Sequence, residues 1–234
     1  NRYIDFNNNY TALLHGHSFE PVRQAVIAQI DKATACSFTT EAEIEFAELL
    51  CSRVESFEQI RFCNSGSEAV MNMLKAARAF TGRPKIAKIE GLYHGSYDFA
   101  EVSLKNKPGD RIGSAPISTA YSFGTPQSVL DEVVALPFNE IEATEALIEE
   151  HGDSLACVMI DLMPQSLSMV SPSEEYLQAL VRLTKQHGIL LAFDEVISFR
   201  LGYSGGQGLF GINPDITCLG KIIGGGFPVG AVAG

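Results

Sequence analysis

The sequence predicts an α/β fold in three layers: a mainly parallel sheet with helices on both faces. Two observations carry this. Short apolar runs of strand character alternate with longer segments of helical period. Apolar residues make up 46% of the chain and charged residues 19%, which supports a packed core. The 234 residues show no internal repeat, low-complexity tract or linker, so one α/β body is the simplest division. We read residues 1–35 as an arm and first helix, and residues 36–234 as the body.

Residues 1–18 mix Asn, Tyr, His and Gly without period and read as an irregular arm. From Phe19, the spacing of Val22, Val26 and Ile30 predicts an amphipathic helix with Pro21 in its first turn. Ile44, Ala47, Leu50 and Val54 mark one face of a second helix. "IRFCN" is a short strand, and "SGSEAVMNMLKAARAF" is helical by spacing and propensity. "KIAKIE" is a strand followed by the loop "GLYHGSYD". Lys105 to Thr125 is rich in Pro, Gly and Ser and reads as a long loop. "VVALPF" is a strand, Ile141 to His151 a helix, "LACVMIDLM" a buried strand, Ser173 to His187 a helix and "ILLAFDEV" another buried strand. Gly202 to Gly208 reads as a flexible loop, and "ITCLG" and "VGAVAG" as short strands. The acidic run at 140–153 reads as a solvated helix face.

The net charge of −11 argues against a broad nucleic-acid or anionic-membrane surface. It leaves room for a small anion held locally by backbone amides. The cysteines, at 36, 51, 63, 157 and 218, are scattered and contain no CxxC pair. Each reads as a small core residue in a reducing, cytoplasmic setting, without disulfide or zinc site. His15-Gly16-His17 has no supporting ligand pattern and reads as loop, so no metal is expected. No apolar run reaches bilayer length and no signal-peptide pattern opens the chain. Asn1 is not a methionine and "VGAVAG" has no polar close, so the chain reads as a piece of a longer polypeptide.

In open α/β sheets, ligands sit beyond the carboxyl ends of the strands. Four clusters occupy such positions. Ser65-Gly66-Ser67 opens a helix and offers backbone N–H groups and hydroxyls to an anion, or forms an ordinary cap with Glu68. Tyr93-His94-Gly95 offers an aromatic plate, or is a surface turn between Gly91 and Gly95. Asp194-Glu195 ends a buried strand, where a carboxylate needs a partner such as a protonated ring nitrogen, or caps a turn. Lys221 follows an apolar run and precedes three glycines. It is either a solvated lysine or a partly desolvated nucleophile. A phosphate cradle, an aromatic plate, a pyridinium partner and a nucleophilic amine together suit pyridoxal 5′-phosphate.

Four motifs carry a resemblance over nearly the whole chain: "NSGSEAVMNMLKAARAFTGRPKI", "GLYHGSYD", "LLAFDEVISFRLG" and "LGKIIGGGFPVGAVAG". They resemble the class III, fold-type I pyridoxal-phosphate aminotransferases, with the nearest likeness to the glutamate semialdehyde aminomutases and relatives acting on β-amino acids. The resemblance implies that Lys221 carries the cofactor as a Schiff base and that Asp194 pairs with its ring nitrogen. Val196 and Tyr93 would flank the ring, with His94 beside it, and Ser65, Gly66 and Ser67 would hold the phosphate. It also implies an amino donor, a keto or aldehyde acceptor, a homodimer, and a small C-terminal domain beyond these residues. One segment departs. The family carries Glu-Pro-Val-x-x-Asn where this sequence has Asp161, Leu162 and, for the Asn, Ser166. Ser166 is shorter and would reach the ring hydroxyl through water. That departure points to a divergent branch and away from a literal aminomutase. Separately, a β-keto acid or carrier-bound β-keto chain is the alternative acceptor, to be decided by residues of the N-terminal arm and of the C-terminal domain that the resemblance implies. A non-catalytic fragment is the alternative of another class.

Overall fold

The computed structural model describes residues 2–105 and 109–234. Helices α1 (Asn8–Thr11), α2 (Glu20–Ile30) and α3 (Glu41–Arg53) lead to strand β1 (Ile60–Cys63). Then follow α4 (Gly66–Thr81), β2 (Lys85–Ile89), α5 (Asp98–Glu101) and a small hairpin of β3 (Arg111–Ile112) and β4 (Ala115–Pro116). The chain continues through α6 (Gln127–Asp131), β5 (Val133–Leu136), α7 (Ile141–His151), β6 (Leu155–Asp161), α8 (Glu174–His187) and β7 (Leu190–Asp194). It closes with α9 (Gly205–Phe210), β8 (Ile216–Leu219) and β9 (Gly230–Ala233).

Seven strands form one sheet in the order β1-β9-β8-β7-β6-β2-β5. The β5, β2, β6, β7 and β8 ladders are parallel, and β9 runs antiparallel between β8 and β1. This is the mainly parallel, helix-covered sheet that the alternation predicts. All residues of β6 are buried, as an apolar central strand requires. Its side chains alternate between two cores. Val158 and Ile160 pack with Leu177, Leu180 and Leu183 of α8. Cys157 and Met159 pack with Val70, Met73 and Leu74 of α4 on the other face. A third core joins Leu50 and Val54 to Phe57, Phe199, Leu219 and Ala231.

Local chemistry sets the helix starts. Thr40 and Glu43 form a reciprocal capping box at α3. Ser65 Oγ accepts the Glu68 N–H at 3.1 Å at α4, and Ser173 does the same for Tyr176 at α8.

The structure departs from the sequence reading in several places. The arm contains α1, a turn whose residues Asn8, Asn9, Tyr10 and Thr11 all have positive φ. Its local hydrogen bonds come from Asp5 and Asn7, whose carboxylate and amide oxygens accept nearby N–H groups. The Lys105–Thr125 stretch holds the β3–β4 hairpin, while residues 106–108 of it lie outside the described residues. The stretch read as a flexible loop at 202–208 carries α9, with Gly205, Gly206 and Gln207 buried. Buried Glu195 accounts for this: its carboxylate accepts the Gly206 N–H at 2.5 Å and the Gln207 N–H at 3.1 Å, so it fixes the start of α9. Helix α2 has no buried residue, and its expected apolar face stays open at Ile30. Cys157 and Cys218 are core residues, but Cys36 is exposed and does not belong to the core. His15 stacks on Phe19 at 4.3 Å and His17 lies 3.5 Å from Asp5, both within the arm. Among the described residues, no helix is long and apolar enough to cross a membrane.

One glycine is required by close approach. A Cβ at Gly230 on β9 would overlap the Ser65 carbonyl, a backbone group that cannot swing away. We expect Gly230→Ala to destabilise the chain by about 1–3 kcal/mol, read as a lower urea midpoint at unchanged slope. An unchanged midpoint would contradict this packing.

Candidate functional site

The carboxyl ends of β1, β2, β6, β7 and β8 open into one cavity of about 670 Å³. The residues that the resemblance assigns to the cofactor all line it: Ser65, Gly66, Ser67, Tyr93, His94, Ser166, Asp194, Val196 and Lys221. Glu195, grouped with Asp194 in the sequence, does not; its carboxylate is engaged by α9. The parallel register creates this convergence, since Asp161 and Asp194 sit opposite one another on β6 and β7, and Asp194 opposite Cys218 on β8.

At one end lies the N-terminus of α4. The Ser65 hydroxyl is committed to the cap, so the capping reading of this cluster holds. The N–H groups of Gly66 and Ser67 belong to the first turn, which has no intrahelical acceptor. They supply donors and the positive end of a helix dipole to an anion in the cavity. The Ser67 hydroxyl accepts the Ser96 N–H at 3.1 Å, which ties the next cluster to this one.

That next cluster is the turn between β2 and α5. Gly95 has φ +88° and packs against Ser67 so closely that a Cβ there would collide with the Ser67 backbone. The turn leaves Tyr93 half exposed at the cavity wall and buries His94. His94 Nδ1 lies 2.7 Å from Asp194 Oδ2. Asp194 Oδ1 accepts the Val196 N–H at 3.0 Å. The Cys218 thiol, held protonated by burial, also meets Asp194. These contacts offset the cost of a carboxylate in the core. The strand-end turn also sets Val196 in the cavity wall.

Lys221 opens a 3-10 turn, Lys221–Gly224, directly after β8. Its φ of +46° is a left-handed conformation seldom adopted by residues with a side chain. Burial lowers its pKa from the ordinary lysine value, against the opposing pull of Asp194 and Asp161. The site therefore presents a half-buried amine with increased free-base character beside a buried carboxylate. Asp161 lies in the same cavity, its Oδ1 accepting the Met163 N–H at 2.8 Å. Burial, and then the charge of Asp194, pushes its pKa up to about 8.

Sequence reasoning missed several cavity residues. It set His94 beside a ring, but His94 also holds Asp194, 100 residues away. It treated the arm as irregular, yet Phe6, Asn7 and Tyr10 form part of the cavity wall. Arg200 Nη1 donates to the Thr11 carbonyl at 3.0 Å and anchors that arm. Gln165 and Met169 complete the mouth beside Ser166. The one available signal was the Asn-rich run before Tyr10, whose composition favours tight turns.

The donor set fits a planar anionic group with a protonatable ring nitrogen. Helix N–H groups serve an anion, Tyr93 and Val196 supply walls, Asp194 supplies a charge, and Lys221 supplies an amine.

Known proteins resemble this chain over nearly its whole length. The profile of the aminotransferase class-III family matches residues 1–234. A glutamate-1-semialdehyde 2,1-aminomutase of Persephonella marina is 42% identical over 235 residues, covering 100% of this chain and 54% of that protein. The chain thus spans about half the length of the curated relatives it matches. An omega-transaminase from Sphaerobacter thermophilus is 56% identical with a TM-score of 0.95, covering 98% of this chain and 52% of that one. A transaminase with PLP bound is 44% identical with a TM-score of 0.91, covering 99% and 53%.

Asp161 gives the site a testable electrostatic signature. Its folded pKa lies above its unfolded value, so ionising it costs stability as pH rises from about 4 towards about 8. Asp161→Asn keeps the acceptor for Met163 and removes that cost. The variant should gain stability relative to the unsubstituted chain with rising pH, by up to about 1.4 kcal/mol per unit. Urea midpoints at pH 5, 6.5 and 8 check this. A difference that does not grow with pH would show that Asp161 ionises freely.

Proposed function

The chain belongs to the class-III aminotransferases, and from that premise we propose that it moves an amino group from a small amine donor to a keto or aldehyde acceptor, with pyridoxal 5′-phosphate held on Lys221. The observation that carries this reading is the meeting of four strand-end clusters in one cavity, with the Lys221 amine and the Asp194 carboxylate both in its lining. Pyridoxal 5′-phosphate, when bound, supplies an electron sink for charge developed next to the substrate nitrogen.

The chain's own residues do the rest. Partial burial gives the Lys221 amine free-base character, which suits it as nucleophile and then as the group that accepts and returns a proton. Asp194 would meet the cofactor's ring nitrogen and favour its protonated form. Tyr93 and Val196 would flank the ring, with His94 behind Asp194. Gly66 and Ser67 would hold the phosphate through their N–H groups, with Ser65 capping the helix that presents them. Ser166, at the exposed mouth, would serve the ring hydroxyl through water. Phe6, Tyr10 and Met169 cover the cavity and limit water entry.

Transfer between two molecules is the leading reading, supported by the 56% identity to an omega-transaminase. A β-keto acid or carrier-bound β-keto chain is an acceptor consistent with the Asp161–Ser166 departure. Intramolecular transfer, as in an aminomutase, is the second reading, favoured by the 42% identity to the Persephonella protein. The assembly in this reading is a homodimer in the cytoplasm. Residues 1–35 form the arm and first helix, and residues 36–234 the cofactor-binding body, completed by a small C-terminal domain in the parent polypeptide.

Mixing the purified chain with pyridoxal 5′-phosphate should give a yellow protein that borohydride bleaches, with the reduced cofactor's mass added at Lys221. Lys221→Ala should lose both signals. An adduct at any other lysine, or none, overturns the assignment and leaves a non-catalytic fragment as the reading. In the parent polypeptide, Asp194→Asn should retain cofactor and lose about 100-fold or more in turnover. Full turnover in that variant would remove Asp194 from the mechanism.

A further inference from the structure

Lys88 is a fully buried lysine that the proposed chemistry does not use. It lies on β2, and its Nζ donates to the carbonyls of Val102 at 2.8 Å, Leu92 at 3.0 Å and Ile89 at 3.4 Å. Three acceptors match the three donors of an ammonium group. A neutral amine would turn its lone pair against one of those carbonyls. The clamp thus favours the cation without a carboxylate partner. Leu92 is the residue before Tyr93 and His94, so the clamp grips the root of the turn that enters the site.

His94 carries the second half of the argument. Its Nδ1 meets Asp194, while its Nε2 is buried with no hydrogen-bond partner among the described residues. A neutral imidazole donating from Nδ1 satisfies this geometry. An imidazolium would bury an unpaired N–H at Nε2, at a cost of about 1–3 kcal/mol.

We propose that Lys88 is a positioning residue for the site: its ammonium, held by three backbone carbonyls, clamps the turn that aims His94 at Asp194, and its buried positive charge adds to the unpaired Nε2 in favouring a neutral imidazole that donates to the Asp194 carboxylate. The purpose of that carboxylate rests on the cofactor reading above, while the coupling itself does not. Burial lowers the Lys88 pKa to about 7, and burial lowers that of His94, with Asp194 opposing and Lys88 adding to the effect. Glu90, at the end of β2, is the charge acting on Lys88 and is itself engaged with Arg111. Asp194 and Lys88 act on His94, and Asp161 and Lys221 share its cavity. Helix α5, adjacent to Val102, carries Asp98 and Glu101. Glu68, in the first turn of α4, is held by the Asn64 N–H.

Histidine-ring ¹⁵N NMR of the cofactor-free chain tests this between pH 5 and 8, with His94→Gln assigning the signal. In the unsubstituted chain the His94 midpoint should lie below the ordinary imidazole value of about 6.5. A midpoint above it overturns the proposal without any variant. Lys88→Gln retains two donors and removes the charge. It should raise the His94 midpoint by about 0.5 pH unit or more. Lys88→Met should do the same and also speed amide exchange at Tyr93 and His94. If Lys88→Met does not fold, Lys88→Gln decides. An unchanged midpoint in the folded variants overturns the charge coupling. Unchanged exchange at Tyr93 and His94 in Lys88→Met overturns the clamp. Failure of the cofactor reading would appear in the borohydride experiment and not in these titrations.

Discussion

Holding the Asp194 carboxyl group, with its hydrogen bonds met, at the end of a buried strand is the constraint on which the site depends. β7 is apolar up to that residue, and Asp194 is 4% exposed. A carboxylate there needs donors, and the structure brings them from its own turn and from both sides along the sheet. The Val196 N–H comes from the turn that follows, the Cys218 thiol from neighbouring β8, and the His94 ring from the turn after β2, two strands away. Two of these donors carry a consequence. The turn that delivers the Val196 N–H also sets Val196 in the wall. The turn that delivers His94 needs left-handed glycines at 91 and 95, contact with Ser67, and a firm root at Leu92. The adjacent Glu195 is buried by the same strand end and anchors α9. One charge thus organises loops that are distant in sequence.

The sheet makes that arrangement possible through direction alone. Parallel strands point their carboxyl ends the same way, and the intervening helices return the chain beneath the sheet. The groups that surround the cavity therefore arise from successive crossovers. The balance of charge within it is narrow. Asp161 and Asp194 face one half-buried amine, and burial has opposite effects on acid and base. It raises the Asp161 pKa and lowers that of Lys221, so both groups are drawn towards neutrality.

Much of the fold was legible because its signals are local. Apolar runs marked β6 and β7, and helical segments marked α4, with Ser65 as its cap, and α8. The strand-end residues were legible because chain direction alone assigns them to one rim. What was not legible depends on strand order and long-range contact. Nothing near His94 in sequence names Asp194 as its partner. The glycines at 202–208 suggested freedom, but Glu195 supplies acceptors that turn the same segment into a buried helix. The periodicity of α2 suggested a buried face, but Val22 and Val26 are only half-buried, beside Leu13 and Gly225–Phe227, and Ile30 stays exposed. Nothing in "KIAKIE", with lysines at 85 and 88, gave a hint that backbone carbonyls could replace a counter-ion for Lys88.

The antiparallel strand β9 has a consequence for the order in which the molecule is assembled. β1 lies at the sheet edge and is hydrogen-bonded to β9, with Ile60 opposite Ala233 and Cys63 opposite Gly230. Synthesis runs from the amino end, so β1 and the Ser65 that follows it emerge long before the strand that fixes them. The β2–β5–β6–β7 ladders can form progressively as each strand appears. The α4 end of the cavity cannot take its final shape until residues 230–233 slot between β8 and β1. Closing contacts across so long a span is slow compared with pairing neighbouring segments. The shape of the pocket is thus tied to one of the most sequence-distant pairings in the sheet.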